Sequence, residues 1–196
     1  LAPTLTPAYA AGLAYIEDHG ASYPTANAHL APLQLAAAFA QDPALCWIIP
    51  DPAQRTRRLP MMFDWLFDDH LQHGLILGTP DCGAVTFWRV PGQVHYRTPL
   101  YPRHLLHMLR VFGPSLLRAA RVGDTIDAHV PRGEAQLYLR YAGVRPELQG
   151  KGLGGQTIRA GLAEAARRGV PACLETATAS NVGLDRKSTR LNSSHD

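Results

Sequence analysis

Residues 141–169 read YAGVRPELQGKGLGGQTIRAGLAEAARRG, and the centre of that stretch, QGKGLGG, decides how the chain is understood. Four of the six residues from Gly150 to Gly155 are glycine. Before them runs AQLYLRYAGV, a β-type segment that Pro146 ends. After them comes an alanine-rich helical pattern from Gly152 to Arg168, with Gly169 placed to cap it. Glycine lets a backbone turn tightly and approach a ligand closely. Successive amides at a helix start point outward, aided by the positive end of the helix dipole, and so suit a phosphate. A glycine-rich turn with no ligand is the plain alternative.

Three ligand readings compete. A Walker loop needs Gly-x-x-x-x-Gly-Lys-Ser/Thr, which this stretch does not satisfy. Gly150, Gly152 and Gly155 do fit the dinucleotide pattern GxGxxG, with Glu175 twenty residues beyond Gly155. That pattern, however, needs its strand to run almost directly into the first glycine, and here Arg145 to Gln149 intervene. The third reading fits best. GVRPELQGKGLGGQTI resembles the acetyl-CoA-binding motif of the GNAT N-acetyltransferase superfamily, through Val144, Pro146, Gln149, Gly152 and Gly154. The resemblance extends to AAAFAQDPALCWIIPDPAQRTRRLP as a first helix pair, TFWRVPG as a third strand and CLETATASNVGL as a fifth strand, over roughly residues 25–184.

The resemblance implies an α/β fold of α+β type: a mixed sheet with a β-α-β acetyl-CoA-binding core. It implies an N-acetyltransferase in which a primary amine of a small molecule directly attacks acetyl-CoA in a ternary complex. The loop residues Gln149, Gly150, Lys151, Gly152, Leu153 and Gly154 would hold the coenzyme diphosphate. Ala142 and Val144 would line the gap where the fourth strand diverges from the fifth, and Asn181 matches a position that often contacts the cofactor. A general base must free the amine. Glu175 is the first candidate, with Asp124, Asp127 and Glu134 on the acceptor side. The alternatives are a module that binds acyl-CoA without transferring it and, behind that, a dinucleotide-dependent oxidoreductase.

Outward from the loop, Ala28 to Ala40 has helical spacing and stops before Asp42-Pro43. Asp51-Pro52 is an N-cap followed by a first-turn proline. Pro60 is expected to kink or restart the helix that then carries Met62, Trp65, Leu66 and Phe67. Leu75–Leu77 and Ala84–Val90 are strands split by GTPDCG, and residues 91–133 form an insertion with one or two helices that shapes the acceptor site. ACLETA is a further strand. Residues 1–20 are a flanking segment of ambiguous character, and residues 21–184 the acetyltransferase domain.

The last residues, DRKSTRLNSSHD, break the composition of everything upstream. Their reverse translation resembles a sequencing adapter read through in frame, so residues 185–196 are expected to be non-native. On that expectation position 185 was Tyr, the family's general acid, and the final helix and strands are missing.

Net charge is +3, or +2 without the tail (16 basic minus 14 acidic), and no long basic run appears, which argues against nucleic acid. Arg55, Arg57 and Arg58 read as a solvated helix face. Cys46, Cys82 and Cys173 form no CxxC pair, which points to a reducing, cytoplasmic setting without disulfides. The pairs His70/His73 and His104/His107 lack a third ligand, so no metal site is expected. No apolar run reaches spanning length and no membrane partner is expected, while oligomerisation is left open.

Overall fold

The computed structural model describes residues 14–16, 27–96, 101–133 and 135–174, with backbone only for 14–16 and Ala28. Five strands, β1 (Ala14–Ile16), β2 (Gly74–Gly78), β3 (Ala84–Arg89), β4 (Leu137–Val144) and β5 (Ala172–Leu174), lie side by side in chain order. The first four are antiparallel neighbours, and β5 runs parallel to β4. A parallel neighbour needs a crossover, which helix α6 (Leu153–Arg167) supplies. Strand β1 lies inside the segment whose sequence has no clear period; only its pairing with Ile76–Gly78 identifies it.

Helices cover both faces. LIL in β2 and AVTFW in β3 therefore read as continuous apolar runs rather than alternating ones. Ile76, Val85 and Phe87 face a layer formed by α1 (Ala31–Ala38), α2 (Pro43–Ile48) and α3 (Pro52–His73), which contributes Leu35, Leu45, Leu59, Met62, Phe63 and Leu66. Leu75, Leu77, Trp88, Leu137 and Leu139 face Ala160 and Ala165 of α6. A Cβ at Gly161 would lie 2.0 Å from Trp88 Cζ2, so the absence of a side chain there lets α6 sit on the indole.

The caps explain where helices begin. Asp51 Oδ1 accepts from the amides of Ala53 and Gln54 (2.8 and 3.3 Å), and Pro52 occupies the first turn. The same device recurs at Asp42, whose Oδ1 accepts from Leu45 N at 3.0 Å. There it starts the short α2, which the sequence reading did not separate. Helix α3 runs unbroken through Pro60. Losing one internal bond costs about 3 kcal/mol, and burial of Leu59, Met62, Phe63 and Leu66 against the sheet, at about 1.5–3 kcal/mol each, outweighs it.

Arg55 overturns the reading of its cluster as a solvated face. It is buried, with Nε donating to Ala40 O (3.0 Å) and Nη1 to Ile49 O and Pro50 O (2.8 and 2.7 Å). These carbonyls lie where α1 and α2 end, beyond any intrahelical donor. Arg57 is exposed, and Arg58 reaches Phe112 O at 3.4 Å. Residues 91–133 do carry two helices, α4 (Pro102–Phe112) and α5 (Leu116–His129), joined by a 3-10 turn at Gly113–Ser115. Cys46, Cys82 and Cys173 are not joined in disulfides, and among the described residues no helix is long and apolar enough to cross a membrane.

Candidate active site

The parity of hydrogen bonding along β4 sets the direction of its amides. Arg145 N donates to Gly83 O (2.8 Å), which makes Arg145 and Gly83 a bonded antiparallel pair. The neighbouring pairs Val144–Ala84 and Ala142–Thr86 are then of the non-bonded kind. Ala84 agrees, since its carbonyl turns to β2 and accepts from Thr79 N at 3.0 Å. Ala142 and Val144 therefore point their N–H and C=O groups away from β3, toward the β5 side. There the described pairing ends at Leu139–Leu174, so β4 runs on for five residues past it.

A bulge lies just before these residues. Phe87 pairs with Tyr141 but Trp88 pairs with Leu139, which leaves Arg140 as the extra residue. Arg140 Nη1 donates to Asp127 Oδ1 of α5 at 3.1 Å, tying the insertion to β4 at the bulge. Tyr141 turns into an aromatic wall of Phe39, Phe63, Phe87 and His70, with centroids 5.6–6.3 Å away.

Past Val144 the chain makes a 3-10 turn (Pro146–Leu148) and then the glycine turn. Gly150 and Gly152 have φ of +77° and +79°, a region L-residues avoid, and both face open space. Gly152 sits at the N-cap of α6 with no side chain to cap it. Among the described residues, the amides of Gly150, Lys151, Gly152, Leu153, Gly154 and Gly155 have no hydrogen-bond acceptor. Six donors without a described acceptor, at the positive end of a fifteen-residue helix, make an arrangement suited to an anion. The other end of α6 is satisfied internally: Val170 N bonds Ala165 O and Gly169 N bonds Ala166 O, with Gly169 at φ +67°.

The turn is braced from behind. Arg145 Nε donates to Gln34 Oε1 (3.1 Å) and its Nη2 to Asp81 O (3.3 Å), joining α1 and the β2–β3 turn to the loop. Hydrogen bonds from Thr79 and the Gly83 amide hold the Asp81 carboxyl below its ordinary pKa. Gln149 Nε2 reaches Val144 O at 3.3 Å, and a Cβ at Gly154 would meet Val144 Cγ2 at 3.0 Å. Loop and strand edge thus touch.

The structure places Ala142, Val144, Gln149, Gly150, Lys151, Gly152, Leu153 and Gly154 in one continuous surface. Glu175, Asn181 and Glu134 lie outside the described residues, as does the tail at 185–196. Asp124 is exposed on α5 and Asp127 is ion-paired.

The HxxH pair on α3 belongs to a buried ionic cluster that sequence reading did not find. Asp69 pairs with Arg89 of β3, and His73 Nδ1 lies 3.6 Å from Asp69 Oδ1 while its ring stacks on Tyr96. His70 Nδ1 donates to Leu66 O at 2.7 Å, which leaves Nε2 as the unprotonated nitrogen. Burial first, and the charge of Arg89 second, push the His70 pKa well below its ordinary value. Among the described residues, His70 Nε2 and Arg89 Nη1 are buried without a hydrogen-bond partner, and no group of three His, Cys, Asp or Glu is placed to hold a metal. Asp69 is four residues from His73, but nothing in the sequence marks Arg89 as its partner.

No protein-family model matches the chain. A solved structure described as histone acetyltransferase HPA2 and related acetyltransferase, from Corynebacterium glutamicum, is similar at 20% identity and a TM-score of 0.63, covering 90% of this chain and 83% of that one. A solved agmatine N-acetyltransferase, a point mutant in its apo form, aligns over 90% of this chain and 81% of its own at 15% identity, with a TM-score of 0.43 too low to carry an argument. The first likeness shows the fold: this chain shares the mixed α+β architecture of a solved acetyltransferase. Among the described residues only the last step of the sheet is parallel, whereas a doubly wound dinucleotide unit is parallel, so the sheet speaks against the dinucleotide reading.

Proposed function

We propose that this chain is an acetyl-CoA-dependent N-acetyltransferase acting on a primary amine of a small molecule. One observation carries the reading: among the described residues six acceptor-less amides, Gly150 to Gly155, adjoin a strand edge on which Ala142 and the Val144 N–H turn away from β3 with no described partner, while Val144 O accepts from Gln149. The first feature suits a diphosphate and the second an extended amide-bearing arm, and coenzyme A joins those two chemistries in one molecule.

In this reading the cradle amides, with Gln149 and Lys151 beside them, bind the diphosphate. The Ala142 and Val144 backbone pairs with the arm as a further strand would. The Val144 N–H polarises the thioester carbonyl, so that charge building on its oxygen meets a fixed donor. The amine reaches the carbonyl carbon after losing its proton to a base; the N–C bond forms, the C–S bond breaks, and the departing thiolate takes up the proton that the nitrogen sheds on becoming an amide. Glu175, which follows β5 in the chain, is the proposed base, and Asn181 a proposed cofactor contact. The fold that the chain shares with an acetyltransferase supports the reading.

Titration calorimetry with acetyl-CoA and with NADPH, followed by thiol release against a panel of amines, tests it. Binding of acetyl-CoA alone, with amine-dependent thiol release that Glu175→Gln lowers, is the expected result. Tight acetyl-CoA binding without release from any amine would make the chain a binding module, and preference for NADPH would end the reading.

A further inference from the structure

Helix α4 shows solvent a stripe that the fold does not use. Leu105, Leu106 and Leu109 are 46%, 50% and 47% exposed, and Tyr101 before them and Leu117 after them are more so, at 53% and 72%. At 100° per residue, Pro102, Leu105, Leu106 and Leu109 share one face of α4. Arg103 and Arg110, both exposed, form its edge, while Val111 on the opposite side is buried. An ordinary surface helix turns its leucines inward. This one keeps three at its crest.

Charge decides what can cover them. From Tyr101 to Gly123 the sequence has no Asp or Glu, while Arg103, Arg110 and Arg121 are exposed and Arg118 is half-buried. A second copy docked through α4 would set Arg103 and Arg110 against the same residues, and α4 carries no carboxylate of its own; the exposed acids Asp64 and Asp68 stand on the neighbouring α3. A partner that encloses the helix does not fit either, because its inner side is already packed on the core through Val111 and Phe112. What matches a half-cylinder with leucines at its crest and arginines along its flank is a flat surface, negatively charged outside and apolar beneath. Tyr101, with the Arg103 guanidinium 5.6 Å from its ring centroid, adds an amphipathic group at the end of the stripe.

We propose that α4 docks on an anionic lipid bilayer, lying in the headgroup layer with Leu105, Leu106 and Leu109 inward and Arg103 and Arg110 on lipid phosphates. The contact is peripheral: among the described residues no helix is long and apolar enough to cross the bilayer. It stands apart from the reading of the glycine turn, which lies at the far end of β4 from the insertion's connection to that strand.

Flotation of the full chain with vesicles of pure phosphatidylcholine and of phosphatidylcholine with 30% phosphatidylglycerol tests this. The anionic vesicles should carry the protein and the neutral ones leave it behind. The variant L105S/L106S/L109S should bind at least tenfold less, R103Q/R110Q several-fold less, and 0.5 M NaCl should weaken the wild type. Circular dichroism checks that both variants stay folded; if the leucine variant does not, the arginine pair decides. Absence of wild-type flotation on anionic vesicles overturns the proposal. So does unchanged binding by the arginine pair, or a leucine-dependent dimer in sedimentation velocity without vesicle binding. Capture of the stripe by an acidic amphipathic peptide in place of vesicles also overturns it.

Discussion

Replacing Gly152 with alanine separates what the glycine turn does for folding from what it does for a ligand. At φ +79°, ψ 0° the residue is left-handed, where an L side chain costs about 1–2 kcal/mol. A Cβ there meets nothing within 4 Å, so backbone strain is the whole effect. The free loop can relax by rotating out of this conformation, which turns its amides off their common target. A ligand that needs them aligned must restore the strained form, so its Kd should rise by the same 1–2 kcal/mol, about fivefold to thirtyfold. Gly169 is the control. It has φ +67°, equally open space, and caps the other end of the same helix. Gly169→Ala should lose about 1–2 kcal/mol in urea denaturation with acetyl-CoA affinity unchanged. Gly152→Ala should show the affinity loss by calorimetry, with a stability loss no larger than that of the control. Equal affinities in the two variants would refute the claim that the Gly152 amide geometry makes the site.

Arg55→Ala should destabilise the fold by about 3–5 kcal/mol in urea denaturation, since three carbonyls lose a charged buried donor, whereas Arg57→Ala should stay within about 0.5 kcal/mol; similar losses would restore the solvated reading of both. Gly161→Ala presses a methyl into Trp88 and should cost about 1–3 kcal/mol with a shifted tryptophan emission, and an unchanged spectrum would contradict the contact. His70 has a folded pKa depressed below its unfolded value of 6.5, so its contribution to stability is full above that pH and lost as pH falls toward the folded pKa. With burial first and then Arg89 and Arg140 opposing its charge, the unfolding free energy should decline below about pH 6.5 with a slope of up to about 1.4 kcal/mol per pH unit, and His70→Phe should remove that contribution.

The loop side of the candidate site was legible because its structure is local. A strand, an X-Pro stop, glycines with positive φ and a helix start all follow one another between Leu137 and Leu153, and each leaves its mark through backbone sterics that sequence reports directly. Asp51-Pro52 and the Gly169 cap were legible for the same reason. Elsewhere tertiary packing decided. Pro60 inside α3 looked like a break until the apolar residues around it were seen against the sheet, and a three-residue β1 has no period at all, only a partner.

Charged residues divide along the same line. Arg55, Arg57 and Arg58 are indistinguishable as a string, yet only Arg55 lies where helix ends leave carbonyls open. Asp69 and Arg89, twenty residues apart, meet because α3 and β3 pack face to face. Arg140 and Asp127 meet because a bulge turns one strand residue toward a helix. Sequence by itself determined the glycine turn and the helix it opens, because those depend on torsions and bonds within a few residues. The ionic cluster, the brace behind the loop and the direction of the β4 amides required the folded chain, because each joins groups that only three-dimensional packing brings within a few ångströms.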